Sequence, residues 1–467
     1  MTGPLDAARG ALAGERAWVV GGAVRDRMLG RATPDVDVVI EGEPGAAARS
    51  LAAAAGGVAF ELSEDWNTWR VIGPDRAWQV DLSPVRAGTL ETDLAERDFT
   101  VNAMAEPLAG GELIDPHGGA ADLEARRLRM LSPAALAADP LRVMRLARLA
   151  GELELEADAP TLAAAREHAP RLREVAPERV FAELRRILAL PDPVAGLSLT
   201  DAAGALAVVL PELMELRGLE QSGHHHLDAY GHTLAVLEQA VRLERSPADA
   251  FGEHADAVGA LLAEPLADEL TRSHALRLGA LLHDVAKPLT RGEGPGGRVT
   301  FLGHDRAGAD LVSAILRRLR ASERLVTHVA ALARHHLRLG FLVHERPLSR
   351  RAVHAYVRGC EPVEVDVTVL SVADRLATRG RGADAAIAAH LELARELLGA
   401  ALEWRAAGAP TPLVRGDELA QALGIHPGPE IGRLLAELEA AQYAREIRTR
   451  DEALTLARAT AARPAAG

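Results

Sequence analysis

Short apolar runs alternate with helical stretches in the first part of the chain. Trp18-Val19-Val20, Asp37-Val38-Val39-Ile40, Trp69-Arg70-Val71-Ile72 and Trp78-Gln79-Val80-Asp81-Leu82 are rich in β-branched and aromatic residues and read as strands. Residues 45–55 are rich in alanine and predict a helix. Residues 15–132 therefore predict a small α/β head. From about residue 133 Ala, Leu, Glu and Arg dominate, and the pattern turns helical. Pro170, Pro177, Pro191, Pro193 and Pro211 cut it into helices of ordinary length. The run Gly292-Glu293-Gly294-Pro295-Gly296-Gly297 predicts a surface loop, and a further break falls at 408–412. The predicted fold class is α+β, a sheet-bearing head followed by helices.

The most telling polar positions sit at the edge of one of these strands. Val20-Gly21-Gly22-Ala23-Val24-Arg25-Asp26 reads as a strand end, a Gly-Gly turn and the start of a helix. It is followed by Asp35-Val36-Asp37-Val38-Val39-Ile40. Residues i and i+2 of a strand share a face, so the two carboxylates lie about 6–7 Å apart at Cα. Such a pair suits two hard divalent cations that hold a triphosphate and activate an attacking hydroxyl. Gly21 and Gly22 let the backbone approach phosphate oxygens, and the following helix offers its first amides. Arg25 is placed to meet a phosphate. Taken singly, a Gly-Gly is a turn and an Asp-x-Asp a solvated strand end; in this order they form the layout of a nucleotidyltransferase. Asp81 closes another strand and reads either as a third metal carboxylate or as an ordinary strand-end aspartate.

Further blocks extend this layout: Arg97-Asp98-Phe99-Thr100-Val101-Asn102-Ala103-Met104, Asp115-Pro116-His117-Gly118-Gly119 with Asp122-Leu123, Asp139-Pro140-Leu141-Arg142-Val143-Met144-Arg145-Leu146-Ala147-Arg148, and Glu178-Arg179-Val180-Phe181-Ala182-Glu183. In this order, over roughly the first 190 residues, the chain resembles the class II tRNA nucleotidyltransferase and bacterial poly(A) polymerase family. The resemblance implies transfer of nucleotides from CTP and ATP to the 3′ end of tRNA, with Mg²⁺ at Asp35 and Asp37. Poly(A) polymerase is the alternative with the same chemistry.

The resemblance also assigns roles. Arg97 would contact the nucleotide, and Asp98 and Asn102 would shape the sugar pocket; Asn102 reads equally as a structural hydrogen-bonder. Asp139 and Arg142 would select the base, and Arg145 and Arg148 would support the nucleotide. An Asp accepts from the exocyclic amine of C or A, and an Arg donates to the neighbouring acceptor. Asp139 before Pro140 also reads as a helix N-cap pair. The family often has Glu before this Asp; here it is Ala138. Between Asp81 and Arg97 stand only residues 82–96, where relatives commonly carry a longer flexible segment linked to switching from CTP to ATP. The expected product is therefore the whole CCA end or part of it, CC or A: the short segment points to partial addition, and a switch relocated elsewhere in the chain keeps full CCA addition open.

A second constellation comprises His232, His283-Asp284 and Asp374, all on predicted helices. It resembles the His, His-Asp, Asp metal set of HD phosphohydrolases. Imidazole and carboxylate together suit a divalent metal that activates water against a phosphoester. His304, His328, His335 and His336 are candidates for a second metal. His224-His225-His226 reads as an incidental surface cluster. A metal-dependent phosphohydrolase with a binding-only head is the rival reading of the whole chain. Residues 413–458 resemble the tRNA-contacting tail of some family members. The expected domains are a head over 1–132, a helical neck over 133–215, an HD domain over 216–400 and a tail over 401–467.

Composition adds three constraints. A length of 467 residues allows several domains. No apolar run predicts a membrane span or a signal peptide, and the single cysteine, Cys360, fits a reducing cytoplasm. The net charge of −13 confines any RNA contact to local basic patches. Of 53 basic residues only Lys287 is a lysine, and it lies in the His283-Asp284-Val285-Ala286-Lys287 motif.

Overall fold

The computed structural model describes residues 3–86, 88–221, 227–379 and 382–462. His224, His225 and His226 lie outside the described residues. The chain divides into two compact units, Met1–Leu190 with Ala195–Val209, and Pro191–Val194 with Leu210–Gly467.

The first unit is built on one six-stranded sheet. Its strands are β1 (Ala17–Val20), β2 (Asp35–Ile40), β3 (Val58–Ser63), β4 (Thr68–Ile72), β5 (Gln79–Pro84) and β6 (Ala105–Pro107). They lie in the order β3-β4-β5-β2-β1-β6, and only β2 and β5 run parallel. The apolar pattern marks β1, β2, β4 and β5. It misses β3, an edge strand with no residue fully buried, and β6, which is short and ends on Pro107. Neither carries an alternating buried face to be read.

Helices α1 (Pro4–Ala11), α2 (Gly22–Met28) and α3 (Pro44–Ala55) flank the sheet. The side of α3 that meets the sheet lies against Trp69, since a Cβ added to Gly45 would come within 2.8 Å of that indole. Residue 70 points the other way. On that other face the register aligns Phe60, Arg70, Asp81, Asp37, Val20 and Ala105 across all six strands. The β1 and β6 end of this row is covered by α4 (Leu90–Ala95): Leu90 and Leu94 pack with Val20, Val39, Ala103 and Ala105. After the sheet this unit is helical, with the helices Pro133–Ala138, Arg142–Leu153 and Pro177–Leu188.

The second unit is almost wholly helical. The helices Ala229–Arg245, Arg272–Leu282, His304–Arg318, Glu323–His335 and Glu364–Ala377 share a core that includes Leu237, Leu278, Val312, Val329 and Val369. The glycine-rich run predicted as a loop is instead a small hairpin, Gly292–Gly294 paired with Arg298–Thr300. The glycines form the ribbon as well as its turn. The last three helices, Gly416–Leu423, Pro429–Tyr443 and Arg450–Ala461, enclose their own core of Val414, Leu419, Leu434, Leu438 and Leu454. Arg351 joins this bundle to the preceding helix Arg350–Gly359 through Glu437 and Glu446, at 2.8 and 2.7 Å. Among the described residues no helix is long and apolar enough to cross a membrane.

Candidate active site

The turn after β1 brings backbone and arginine together. Gly21 has φ +70, and a Cβ there would stand 2.7 Å from Arg97 Nη1 and 3.8 Å from Asp37 Oδ2. Only glycine suits both the left-handed backbone and this close approach. Asp37 lies beside Asp81 in the register of β2 and β5. Both Asp81 oxygens accept from Arg70, each at 2.7 Å.

Asp37 has an exposed side chain set in a recess. The surrounding protein mass raises its carboxyl above the usual range; Asp81 and Asp35 push the same way, and Arg97 and Arg145 oppose them. Like charges gathered at such a point favour a cation. The donor set, carboxylates on adjacent positions of one sheet face, fits a hard divalent ion.

A cavity of about 740 Å³ opens over these groups. Asp37, Asp81, Arg97, Asp139 and Arg142 all line it, so it joins the carboxylates to the residues expected to read the base. Asp139 Oδ2 accepts from Arg179 at 2.8 Å. Asp139 ends the helix Pro133–Ala138 and also caps the turn into the helix that starts at Arg142: its Oδ1 accepts from the Leu141 amide at 3.2 Å, as the Asp-Pro pair predicts. The Arg142 guanidinium donates to the carbonyls of Glu96, Arg97 and Ala135 at 2.9–3.1 Å.

Other expected ligands take different places. Asp98 and Asn102 are buried behind the cavity, not in its lining. Asn102 Nδ2 donates to Asp98 Oδ1 at 2.9 Å, and Asn102 Oδ1 accepts from Arg25. Arg25 also donates to Asp26 at 2.8 Å, so it braces the turn helix and does not point to a phosphate site. Arg145 pairs with Asp98 at 2.9 Å. Burial alone would raise the Asp98 carboxyl, but Arg145, Asn102 and the Phe99 amide hold it below its usual value. Arg148, expected beside the nucleotide, is buried and pairs with Glu183 and Glu152 at 2.5 and 2.7 Å. Three residues per step rotate this helix by 300°, so its arginines drift around the axis and the third faces the neighbouring helix Pro177–Leu188.

In the second unit, His232, His283, Asp284, His304, His336 and Asp374 converge. His232 Nε2 lies 3.0 Å from Asp374 Oδ1. Asp284 Oδ2 is 3.0 Å from His283 Nε2 and 2.5 Å from Lys287 Nζ, and its Oδ1 is 3.2 Å from His304 Nε2. His283 and Asp284 sit just past the helix Arg272–Leu282, at its C-terminal end and not within it. The Nδ1 atoms of His283, His304 and His336 lie 2.9, 2.7 and 2.7 Å from the carbonyls of Ala280, Phe301 and Ala333. That contact suits an Nδ1–H tautomer and turns each Nε2 toward the centre, where His283 Nε2 meets Asp284: burial would lower the His283 imidazole, but Asp284 raises it above its usual value.

His304 Nε2 and His336 Nε2 lie 3.3 Å apart at that centre. A divalent cation would find two imidazole donors there. Burial pulls the His336 imidazole down to about 4, aided by His283, so it is neutral and able to ligate at pH 7. Asp284 is held well below the usual carboxylate range: burial opposes this, and His283 and Lys287 outweigh it. Two triads, His232/His283/Asp374 and His283/Asp284/His336, have donor spacings that suit a metal. His328 and His335 do not join them. His328 lies 3.5 Å from Asp366, and His335 lines a separate surface groove with Arg306 and Arg334.

Comparison with known proteins separates the possible families. Residues 17–129 match the poly A polymerase head domain, residues 155–216 a probable RNA and SrmB-binding site of polymerase A, and residues 229–379 the HD domain. The chain is 39% identical to the A-adding tRNA nucleotidyltransferase of Deinococcus radiodurans, over 94% of each chain. It is 36% identical to the CC-adding tRNA nucleotidyltransferase of Thermus thermophilus, over 94% of this chain and 92% of that one.

The chain belongs to the tRNA nucleotidyltransferase family. Its fold is shared with a CCA-adding enzyme solved with CTP, at a TM-score of 0.63 and 19% identity over 97% of this chain and 93% of that one. Members of this family and HD domains depend on divalent metals, which accords with the two donor sets. Three residues that brace this site carry little signal in the linear sequence. Arg70 anchors Asp81; its strand was legible, and the alternation with Trp69 carried the signal. Asp93 is buried and pairs with Arg97 at 3.3 Å, but it stands in a segment read only for its length. Arg179 appeared only inside a motif, since nothing in the linear spacing ties it to Asp139.

Proposed function

We propose that the chain is a template-independent tRNA nucleotidyltransferase that adds part of the CCA end from CTP or ATP. The observation that carries this reading is one cavity holding Asp37, Asp81 and Arg97 together with Asp139 and Arg142. Asp35 and Asp37 are the ligands for Mg²⁺, which when bound would lower the pKa of the attacking ribose hydroxyl and neutralise the leaving pyrophosphate. Asp81 is oriented by Arg70 beside them. Gly21 gives the triphosphate its close backbone approach, and Arg97 contributes positive charge at the same point. Asp139 and Arg142 read the base. For that, each exchanges its present partner, Arg179 or backbone carbonyl, for the base edge. The helical bundle over 413–458 holds tRNA. A chain with one buried cysteine and this substrate belongs in the cytoplasm. The domain limits 1–132, 133–215, 216–400 and 401–467 are the proposed functional divisions. The test is labelled CTP and ATP with tRNA trimmed at its 3′ end. Cation-dependent addition to tRNA without a template supports the reading. Long homopolymer tails on any RNA would make it a poly(A) polymerase.

A second reading concerns the HD centre. The imidazoles of His304 and His336, close together beside Asp284, favour a divalent metal there in addition to one at His232, His283 and Asp374. The ligands would give a phosphoester hydrolase independent of the head. Metal-dependent release of phosphate from cyclic phosphates or phosphomonoesters tests it.

A further inference from the structure

Toward its β3 end the active face of the sheet carries exposed aromatic residues. Phe60, Arg70, Asp81 and Asp37 form one transverse row. The helix α3 lies on the opposite face, and α4 covers only the β1 and β6 end. At the β3 end Phe60 is 40% exposed, and Trp66, on the turn between β3 and β4, is 59% exposed. Trp66 nonetheless lines the same cavity as Asp37 and Asp81, together with Thr68 and Arg86. The Arg86 guanidinium stacks over the indole at 4.6 Å, and Thr68 Oγ1 donates to the Trp66 carbonyl at 3.3 Å. The ring is therefore held in place while remaining largely open to solvent.

We infer that Trp66 and Phe60, with Arg86, form a stacking platform for the unpaired nucleotides that precede the reacting 3′ hydroxyl of tRNA. This rests on the proposed transferase reading. The register decides which strand end faces the RNA. Arg97, Asp139 and Arg142 lie on the β1 side of Asp37, linked through Gly21 and the carbonyls of residues 96 and 97. With the incoming base on that side, the primer approaches from the β4 side. Strands lie ~4.8 Å apart, so Phe60 stands about 14 Å from Asp37 along the row. Two or three stacked nucleotides, at ~3.4 Å each, cover about 7–10 Å of that span and reach the β4 side where Trp66 stands. Aromatic faces accept any base, and a guanidinium beside them adds cation–π and phosphate contacts. An exposed Trp and Phe beside a catalytic recess otherwise expose apolar area with no return.

The test uses the full chain and two forms of one tRNA, with and without its unpaired 3′ nucleotides, in equilibrium binding without nucleotide. Trp66→Ala is expected to weaken binding of the overhanging form about tenfold and to leave the trimmed form within about twofold. Trp66→Phe keeps a ring and is expected to retain most of the affinity. In steady-state addition the Ala variant raises KM for tRNA and not for CTP or ATP. Unchanged binding, an equal loss on both tRNAs, or a rise confined to the nucleotide KM overturns the inference. So does self-association in sedimentation that Trp66→Ala and Phe60→Ala abolish while tRNA binding is unmoved, since the occupant is then a second copy. A wild-type chain that binds the overhang but transfers no nucleotide defeats the transferase reading alone, because the binding comparison does not need chemistry.

Discussion

Asp37 and Asp81 are direct register partners in the only parallel strand pair of the head sheet, and Arg70 grips Asp81 by both carboxylate oxygens. Asp37 is thus the member left open to the cavity with no salt bridge of its own in the described structure. Asp37→Asn is expected to lower nucleotide addition at least about a hundredfold, since Lewis-acid stabilisation is worth several kcal/mol. Asp35→Asn should act in the same direction. Both side chains are exposed, so thermal unfolding should be nearly unchanged. Single-turnover incorporation, with melting as control, measures this; near-normal turnover would remove the aspartates from the chemistry.

Asp139 and Arg142 make a different prediction. Replacing both with Ala should erode the preference for CTP and ATP over UTP and GTP by about ten- to a hundredfold, the worth of a bidentate contact. Triphosphate affinity should change little. Arg142→Ala alone should also cost stability, because the guanidinium ties residues 96, 97 and 135 together. Competition between the four nucleotides on one tRNA is the measurement.

The two metal centres should be separable. His283→Ala with Asp284→Ala is expected to lose the cation bound by the second unit, read as metal content after dialysis. Any phosphoester hydrolysis should vanish with it. Nucleotide addition should persist within a few-fold, since the carboxylates and arginines proposed for the chemistry lie in the first unit. Equal loss of both activities would show that the two centres are coupled.

A buried pair away from both centres sets an acid limit on stability. Arg272 and Asp366 are ion-paired inside the second unit, with the Asp366 side chain wholly buried. Burial would raise this carboxyl, yet His328 and Arg272 hold it below its usual value. A depressed folded pKa means stability is fully present above the unfolded value of about 3.9, and is lost as pH falls through the folded one. Denaturant titrations should therefore fall off below about pH 4. Asp366→Ala should cost about 3–5 kcal/mol at neutral pH, because Arg272 is left buried and unpaired. A wild type and variant with the same acid profile would exclude this pair.

The fold and much of the site were legible because they are written in local patterns. Period-two runs mark four strands, and the Gly-Gly turn and Asp35-x-Asp37 mark two candidate carboxylates on one strand. What stayed hidden depends on partners far apart in sequence. Arg148 reads as a nucleotide-supporting arginine in step with Arg142 and Arg145, but Glu183 draws it into the interior. His328 reads like His304, yet it belongs to Asp366. The choice among histidines rests on which Nδ1 finds a carbonyl three residues back, and which Nε2 then points inward. No spacing rule encodes that.

The last prediction concerns how much of the CCA end is made. The segment 82–96 is short, and its residues 89–96 are held in place. Thr89 caps α4 through Thr92, and Leu90 and Leu94 are buried against Val20 and Ala105. Asp93 accepts from the Arg86 amide at 3.2 Å and pairs with Arg97. A segment folded into the core in this way cannot swing to reorient the neck helix between a cytidine and an adenosine. One nucleobase is therefore expected, not two. Three substrates decide it: tRNA lacking all three nucleotides, tRNA ending in one cytidine and tRNA ending in two, each with CTP alone, ATP alone and both. A product that stops after two cytidines makes this a CC-adding enzyme, as the short segment predicts. Extension only of the two-cytidine substrate, by one adenosine, makes it an A-adding enzyme with the same fixed pocket. Completion of all three nucleotides by the wild type would show that the pocket switches without this segment. Loosening the segment with Leu94→Ala should then leave the ratio of CTP to ATP use unmoved, whereas a fixed pocket held by α4 should lose part of its selectivity.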